Sequence, residues 1–466
     1  MGTPSVLAPP TAIRTRTGGR PPGPRGIPVL GVAPQIARDP YGSFERIAQR
    51  YGDVASVPVP GMDLVLVSHP DHVKHVMNTN HAAYPKPALF RDILFREGPR
   101  FHGMANGEEW RAVRRMLNPK FTAKGLAPLT DLIIDTVVET VDGWDRHAAS
   151  GAEVDMQDEF AALTMSVMLR SMFTVRASKE EVERLSRSFA HLMRGMAVTM
   201  LTMSLPQRAP RPYGRATAAA MRDIFAYIDG MVAERRRGVG GAESDGDLLS
   251  MVLDGEFEDG TKLSDEHVRR ELMGLIIGGY ETTAAVMSWV LARLPFAPEA
   301  QARAYAEVDE LGGRRVTADD MDRLVWVRAC FDEAQRLQGF VLNAREATVN
   351  DEIGGYAIPA GTTVAFSGWT LHRDPRFWRD PDDFDPARFL EDEINTYAFL
   401  PFGVGPRRCL GMRMGYMVGL FTLATAFQRY RFELRMGWQP EPRFAFSSIV
   451  KGGVPVTISR REGAHA

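Results

Sequence analysis

Cys409 sits inside an unusual frame. The run Phe402-Gly403-Val404-Gly405-Pro406-Arg407-Arg408-Cys409-Leu410-Gly411 surrounds one thiol with glycines and arginines just ahead of an apolar stretch. Glycines allow tight turns and close approach of backbone to a flat ligand, and N–H groups at a helix start stabilise a negative sulfur. Arg407 and Arg408 add positive charge suited to an anionic cofactor. A lone cysteine is more often a buried, inert core residue; this frame instead suits a protected thiolate ligand. A second unusual run, Gly278-Gly279-Tyr280-Glu281-Thr282-Thr283, falls within the strongest helical segment. Each glycine there costs about 1 kcal/mol against alanine, so the pair serves either close helix packing or the passage of something against the backbone. Thr282 can bond the carbonyl of Gly278 and open a local groove. A carboxylate beside a hydroxyl in a dry pocket can deliver protons. Glu333 and Arg336, three apart, share one helix face, as do Trp110 and Arg114, four apart. Taken singly, such pairs are common as surface ion pairs or core packing.

Together these runs resemble the cytochrome P450 family. Phe402, Gly405, Arg407, Cys409 and Gly411 fill its F-x-x-G-x-R-x-C-x-G haem-loop pattern. Gly278 to Thr283 match its [AG]-G-x-[DE]-T-[TS] oxygen-binding pattern, with Glu281 where bacterial members commonly have Asp. Glu333 and Arg336 match its E-x-x-R pair, and Phe384-Asp385-Pro386-Ala387-Arg388-Phe389 is similar to its F-x-P-x-R-F segment. The resemblance implies that Cys409 is the axial ligand of haem b, that Thr282 stabilises oxygen at the iron, and that Glu281 relays protons. It implies haem contacts from Gly278, Phe402 and Gly411, and propionate contacts from Trp110, Arg114, Arg345, His372 and Arg407. It also implies a supporting network of Glu333, Arg336 and Arg388. The chain departs from the family after Arg336, where Leu337-Gln338-Gly339-Phe340 lacks the usual prolines.

These side chains need a scaffold. The 466 residues, 44% hydrophobic and 24% charged, fit a globular chain able to enclose a cofactor and a substrate. Patterning predicts a helix at Phe44 to Tyr51, a hairpin from Val54 to Pro58 and Leu64 to Ser68, and mainly helix from Glu108 to Phe296. Breaks are expected at Pro206 to Pro212 and Gly238 to Gly246. Strands return at Arg345 to Val349, Thr362 to Phe366 and Val454 to Ser459. The longest helix should run from an N-cap at Ser264 to about Leu294, roughly 45 Å. The expected fold is mostly α with small β-sheets (α+β): a flexible Pro/Gly/Arg-rich leader over residues 1–25, then one haem-thiolate domain over residues 26–466 with the long helix over the haem.

A net charge of −2 gives no electrostatic reason to bind nucleic acid, and two cysteines, Cys330 and Cys409, allow no disulfide framework. Cys330 reads as a small core residue in a cytoplasmic protein. No N-terminal apolar run reaches the ~20 residues of a membrane anchor, so the resemblance is to soluble bacterial-type members.

The expected activity is monooxygenation, hydroxylation or epoxidation, of a largely apolar terpenoid, polyketide or fatty-acid derivative in secondary metabolism. Electrons would come from NAD(P)H through a ferredoxin and its reductase, docking on a monomer near Arg111, Arg115, Arg408 and Arg413. Desaturation, oxidative coupling of a peptide or aromatic substrate, peroxide-driven oxidation and, more distantly, haem carriage or gas sensing are the alternatives. The resemblance puts substrate near Phe90, Ile93, Leu94, Met196, Met200, Val341, Leu342 and Phe446, although methionines at helical spacing also suit ordinary core.

Overall fold

The computed structural model describes residues 18–88, 100–202, 212–241, 246–338, 340, 342–445 and 447–461. Its longer helices are α1 (Gly42–Tyr51), α2 (Gly107–Leu117), α3 (Thr130–Asp142), α4 (Met156–Val167), α5 (Lys179–Leu201), α6 (Gly214–Arg236), α7 (Asp265–Arg293), α8 (Pro298–Asp309), α9 (Val325–Leu337) and α10 (Met412–Arg429). Their starts follow local chemistry. Ser264 accepts the N–H of His267 at the head of α7, with Asp265 and Glu266 in its first turn, and Ser178 and Glu181 form a capping box on α5.

Helix α7 spans 29 residues through the core and packs against α4, α9 and α10. It has no polar face along its middle because it has neighbours on nearly every side. By length and composition it could cross a membrane, but 78% of its most apolar window is buried inside the protein, as in a core helix. Small residues let neighbours close on it. A Cβ on Gly274 would meet the Phe101 ring at 2.4 Å, and one on Gly279 would meet Met168 Sδ at 2.8 Å. Thr164 of α4 reaches across to donate to the Tyr280 carbonyl at 2.9 Å.

Beside the helices lies a four-stranded sheet. Strands β1 (Val54–Val59) and β2 (Met62–Val67) form an antiparallel hairpin. β2 pairs parallel with Thr363–Phe366, which pairs antiparallel with β3 (Asn343–Glu346), so Thr363–Phe366 (β4) lies between them. Val154–Asp155, Pro455–Arg460 and Tyr430–Leu434 form a second sheet, and Asp351–Ile353 with Tyr356–Ile358 form a hairpin. Another hairpin, β5 (Pro442–Phe444) and β6 (Ser448–Val450), packs against α7. The expected strands are thus present with shifted ends. Of the expected leader, residues 18–24 dock on the sheet: Ser56 N–H donates to Pro22 O at 2.8 Å, and Arg20 pairs with Asp63.

The chain between α9 and α10 is held by a buried ionic network. Arg336 binds both Glu333 oxygens at 2.7 and 2.8 Å, and Arg388 Nε reaches Glu333 Oε1 at 3.1 Å. The remaining guanidinium donors satisfy carbonyls: Arg336 those of His372, Pro381 and Asp383, and Arg388 those of Arg379 and Asp380. His372 completes the network. Its Nδ1 donates to Arg336 O at 3.1 Å and its Nε2 accepts Leu400 N–H at 3.0 Å, which fixes a neutral tautomer. Burial holds its pKa down at about 3. After α9, Gln338 caps the helix and Phe340 packs against Phe366 and His372. Leu342 packs on the apolar cluster of Tyr41, Phe44 and Leu66.

Removing one partner of such a network strands a buried charge. Arg388→Met is expected to lower unfolding free energy by about 3 kcal/mol, read as a fall in the denaturant midpoint. Arg379→Met, at an exposed pair with Asp385, should change it little.

Candidate functional site

The loop before α10 is a tight cradle. Gly403 and Gly405 adopt left-handed φ of 65° and 71°, and a Cβ on Gly405 would fall 2.1 Å from Met77 O. Cys409 N–H donates to Phe402 O at 2.8 Å, folding the loop back on itself. The Phe402 ring packs on Tyr416 of α10 at 5.2 Å. Gly411 is the N-cap of α10, and its N–H points at the Cys409 sulfur. The thiol is surrounded by protein yet remains open to solvent, so it lies on the wall of a cleft, not on the outer surface. Burial pushes its pKa up, while Gly411 N–H, Arg114 and Arg408 pull the other way. Those stabilising groups favour a thiolate, and a coordinated metal deprotonates a thiol outright.

Helix α7 stands next to this loop. A Cβ on Gly415 of α10 would meet Thr283 Oγ1 at 3.5 Å and the Phe402 ring at 3.7 Å. Gly278 is exposed and Thr282 half-buried in a stretch whose other residues are nearly all buried, and nothing lies within 4 Å of a Cβ on Gly278. That turn therefore faces a cleft. Thr282 Oγ1 donates to Gly278 O at 2.7 Å, as its spacing predicts. The two glycines divide the alternatives read from sequence: Gly279 packs against Met168, and Gly278 is open. Glu281 points the other way, toward the β5–β6 hairpin, where Ser447 Oγ donates to its Oε1 at 3.0 Å. Burial pushes its pKa up to about 7 against the pull of Ser447 and Arg443.

A cluster of cations lies beside the loop. Arg407 stacks over Trp110 at 4.3 Å and donates to Ala105 O and Asn106 Oδ1. Arg114 donates to Arg408 O at 2.8 Å, tying α2 to the loop. Arg345, on β3, is almost fully buried and bonds Asn343 Oδ1 and Ala344 O. Lys86 joins them: Asn106 bridges it to Arg407, accepting Lys86 N–H and donating to Lys86 O. Burial and mutual repulsion hold the pKa of Arg345 down at about 9 and that of Arg407 at about 10, and push Lys86 well below its usual value. Among the described residues none of these cations has a carboxylate partner. Buried positive charge without a counter-charge is costly, and an anionic ligand in the cleft would relieve it. A thiol at a helix start, an open turn on the adjacent helix and cations without a carboxylate beside the loop fit an iron porphyrin with two carboxylates.

The structure thus brings together Trp110, Arg114, Arg345, Phe402, Arg407, Cys409, Gly411, Gly278 and Thr282. His372 stays out of the cation cluster, because both its ring nitrogens bond backbone. Met196 is core, and Met200 is half-buried on α5. Phe90, Ile93, Leu94, Val341 and Phe446 lie outside the described residues. Sequence reading missed Lys86, whose signal is a lysine held extended between Pro85 and Pro87, and Asn106 and Ser447, whose roles depend on distant partners.

A cytochrome P450 family model matches residues 21–459. The chain is similar to cyclooctat-9-en-7-ol 5-monooxygenase of Streptomyces melanosporofaciens, 30% identical over 88% of each chain. It is also similar to ferruginol synthase of Isodon rubescens, 26% identical over 89% of this chain and 88% of the relative. Sugiol synthase of Salvia miltiorrhiza is 25% identical over 94% and 93%.

Arg345→Leu removes a buried cation and should raise the denaturant stability of haem-free protein by about 2 kcal/mol. The same variant should lose haem to an acceptor protein about tenfold faster, measured by the haem-transfer rate.

Proposed function

Since the chain belongs to the cytochrome P450 family, we propose that this monooxygenase uses O₂ to hydroxylate or epoxidise an apolar terpenoid. The site geometry that supports this reading is Cys409 set at the head of α10 opposite the open turn of Gly278 and Thr282. The compounds named for the bacterial and plant relatives favour terpenoids over polyketides or fatty acids.

Bound through Cys409, haem would supply oxygen activation, since thiolate donation favours O–O cleavage. The protein's own groups do the rest. Gly411 N–H holds the sulfur's negative charge, and Arg114 ties the loop to α2. Arg345, Arg407 and Lys86 would hold the two propionates, and Trp110 would keep Arg407 in position. The buried stretches of helix α7 that flank this turn exclude bulk water. Glu281, its carboxyl about half protonated near neutral pH, is the acid. Thr282, whose hydroxyl donates to Gly278 O, keeps lone pairs free to accept a hydrogen bond on the cleft side. Electrons come from NAD(P)H through a ferredoxin and its reductase. Arg408 and Arg413 are exposed near the loop and suit an acidic partner. Arg111 and Arg115 are less available, being paired with Glu108 and Glu258.

The reduced, carbon-monoxide-bound protein should show the strongly red-shifted Soret band of thiolate ligation, and Cys409→Ser should lose it. A red-shifted band that survives in Cys409→Ser would overturn the assignment.

The raised pKa of Glu281 also makes a pH prediction. The folded protein holds this proton with a pKa of about 7, against an ordinary 4.5. The stabilisation from proton binding is complete below pH 4.5 and is lost as pH rises to about 7, about 3 kcal/mol in all. Product formed per electron should fall across the same upper limb. Glu281→Gln should flatten both profiles, measured by denaturant titration and by product yield per NAD(P)H.

A further inference from the structure

Glu281 carries its proton in an asymmetric setting. Oε1 accepts the Ser447 hydroxyl at 3.0 Å. Oε2 is buried and has no hydrogen-bond partner in the protein. A neutral carboxyl has one carbonyl-like oxygen, which accepts, and one hydroxyl oxygen, which donates. The Ser447 donor on Oε1 makes it the carbonyl oxygen, so the hydroxyl is the unpartnered Oε2.

We propose that Ser447 is a positioning residue for proton delivery, holding Glu281 so that its transferable proton sits on Oε2 and not on Oε1. The proposal rests on the acid role given to Glu281 above and names what orients it. Proton transfer breaks the Oε2–H bond as a new O–H bond forms on a water, and leaves a carboxylate whose charge the Ser447 hydroxyl then stabilises on Oε1. Reprotonation from solvent restores the acid. The charged groups around Glu281 suit such recharging. Half-buried Arg443 on β5 attracts the carboxylate, and Arg443 in turn feels the exposed Arg194 of α5. Tyr280, on α7 itself, is the other titratable neighbour, its hydroxyl donating to Ser186 O. Ser447 itself is half-buried at the start of β6, so the same side chain that orients the acid lies within reach of water.

The test uses full-length, haem-loaded protein with Ser447→Ala, Ser447→Thr and Glu281→Gln. The carboxylic C=O infrared band that disappears in Glu281→Gln identifies the buried acid. In Ser447→Ala this band should move to higher frequency, because its carbonyl oxygen loses a donor. Its titration midpoint should rise by roughly one pH unit, with the coupling profile following. Ser447→Thr should restore all of these. An infrared band and midpoint unchanged in Ser447→Ala would overturn the proposal even if Glu281→Gln uncouples electron use from product. Should Glu281→Gln leave coupling intact, the acid role fails, and with it the catalytic meaning of Ser447, whatever the band does.

Discussion

The Glu333 carboxylate is the constraint on which the site depends. It receives two guanidiniums, Arg336 and Arg388, and the Asp385 N–H, and those arginines then bind a string of carbonyls from His372 to Asp383. An ion so buried is tolerated only when every lone pair and every N–H is used. That requirement fixes the irregular chain between Leu371 and Leu400, which has little regular structure of its own. His372 extends the control to Leu400, just before the loop begins. Cys409 is therefore aimed by a network that touches neither sulfur nor cleft.

The second constraint is the mixed duty of α7. Most of the helix is ordinary core, and its glycines at 274 and 279 let Phe101 and Met168 pack close. One turn is different. At Gly278 the backbone is bare, and Thr282 takes up the carbonyl that a missing side chain leaves accessible. Rigidity along the rest of the helix lets one exposed turn hold its geometry. The adjacent Glu281 looks away, into the hairpin, so acid and hydroxyl occupy different faces of the same helix.

Local chemistry was readable in the sequence where a few adjacent residues decide the outcome. The Ser264 cap, the Thr282 bond and the Glu333 and Arg336 pair depend on spacings of three or four, which the helix repeat dictates. The strands at Val54, Thr363 and Pro455 were expected from alternation and differ only at their ends. What remained hidden depends on partners far away in sequence. Lys86 matters because folding sets it beside Arg345 and Arg407, and Ser447 because β6 packs on α7. His372 was expected at a propionate by position alone, but burial and two backbone partners make it a structural ring. The Pro442–Phe444 and Ser448–Val450 hairpin has strands of three residues, too short for periodicity to register.

The close approach of Gly405 to Met77 O joins the Cys409 loop to a segment more than three hundred residues earlier. The cations at 86, 114, 345 and 407 are equally scattered along the chain. During synthesis the amino-terminal portion emerges first, but no part of it can retain a porphyrin by itself. Cys409 leaves the ribosome after all four of those cations. Assembly of this cleft is thus a whole-chain event, and a product stalled before Cys409 would lack the thiol that completes it.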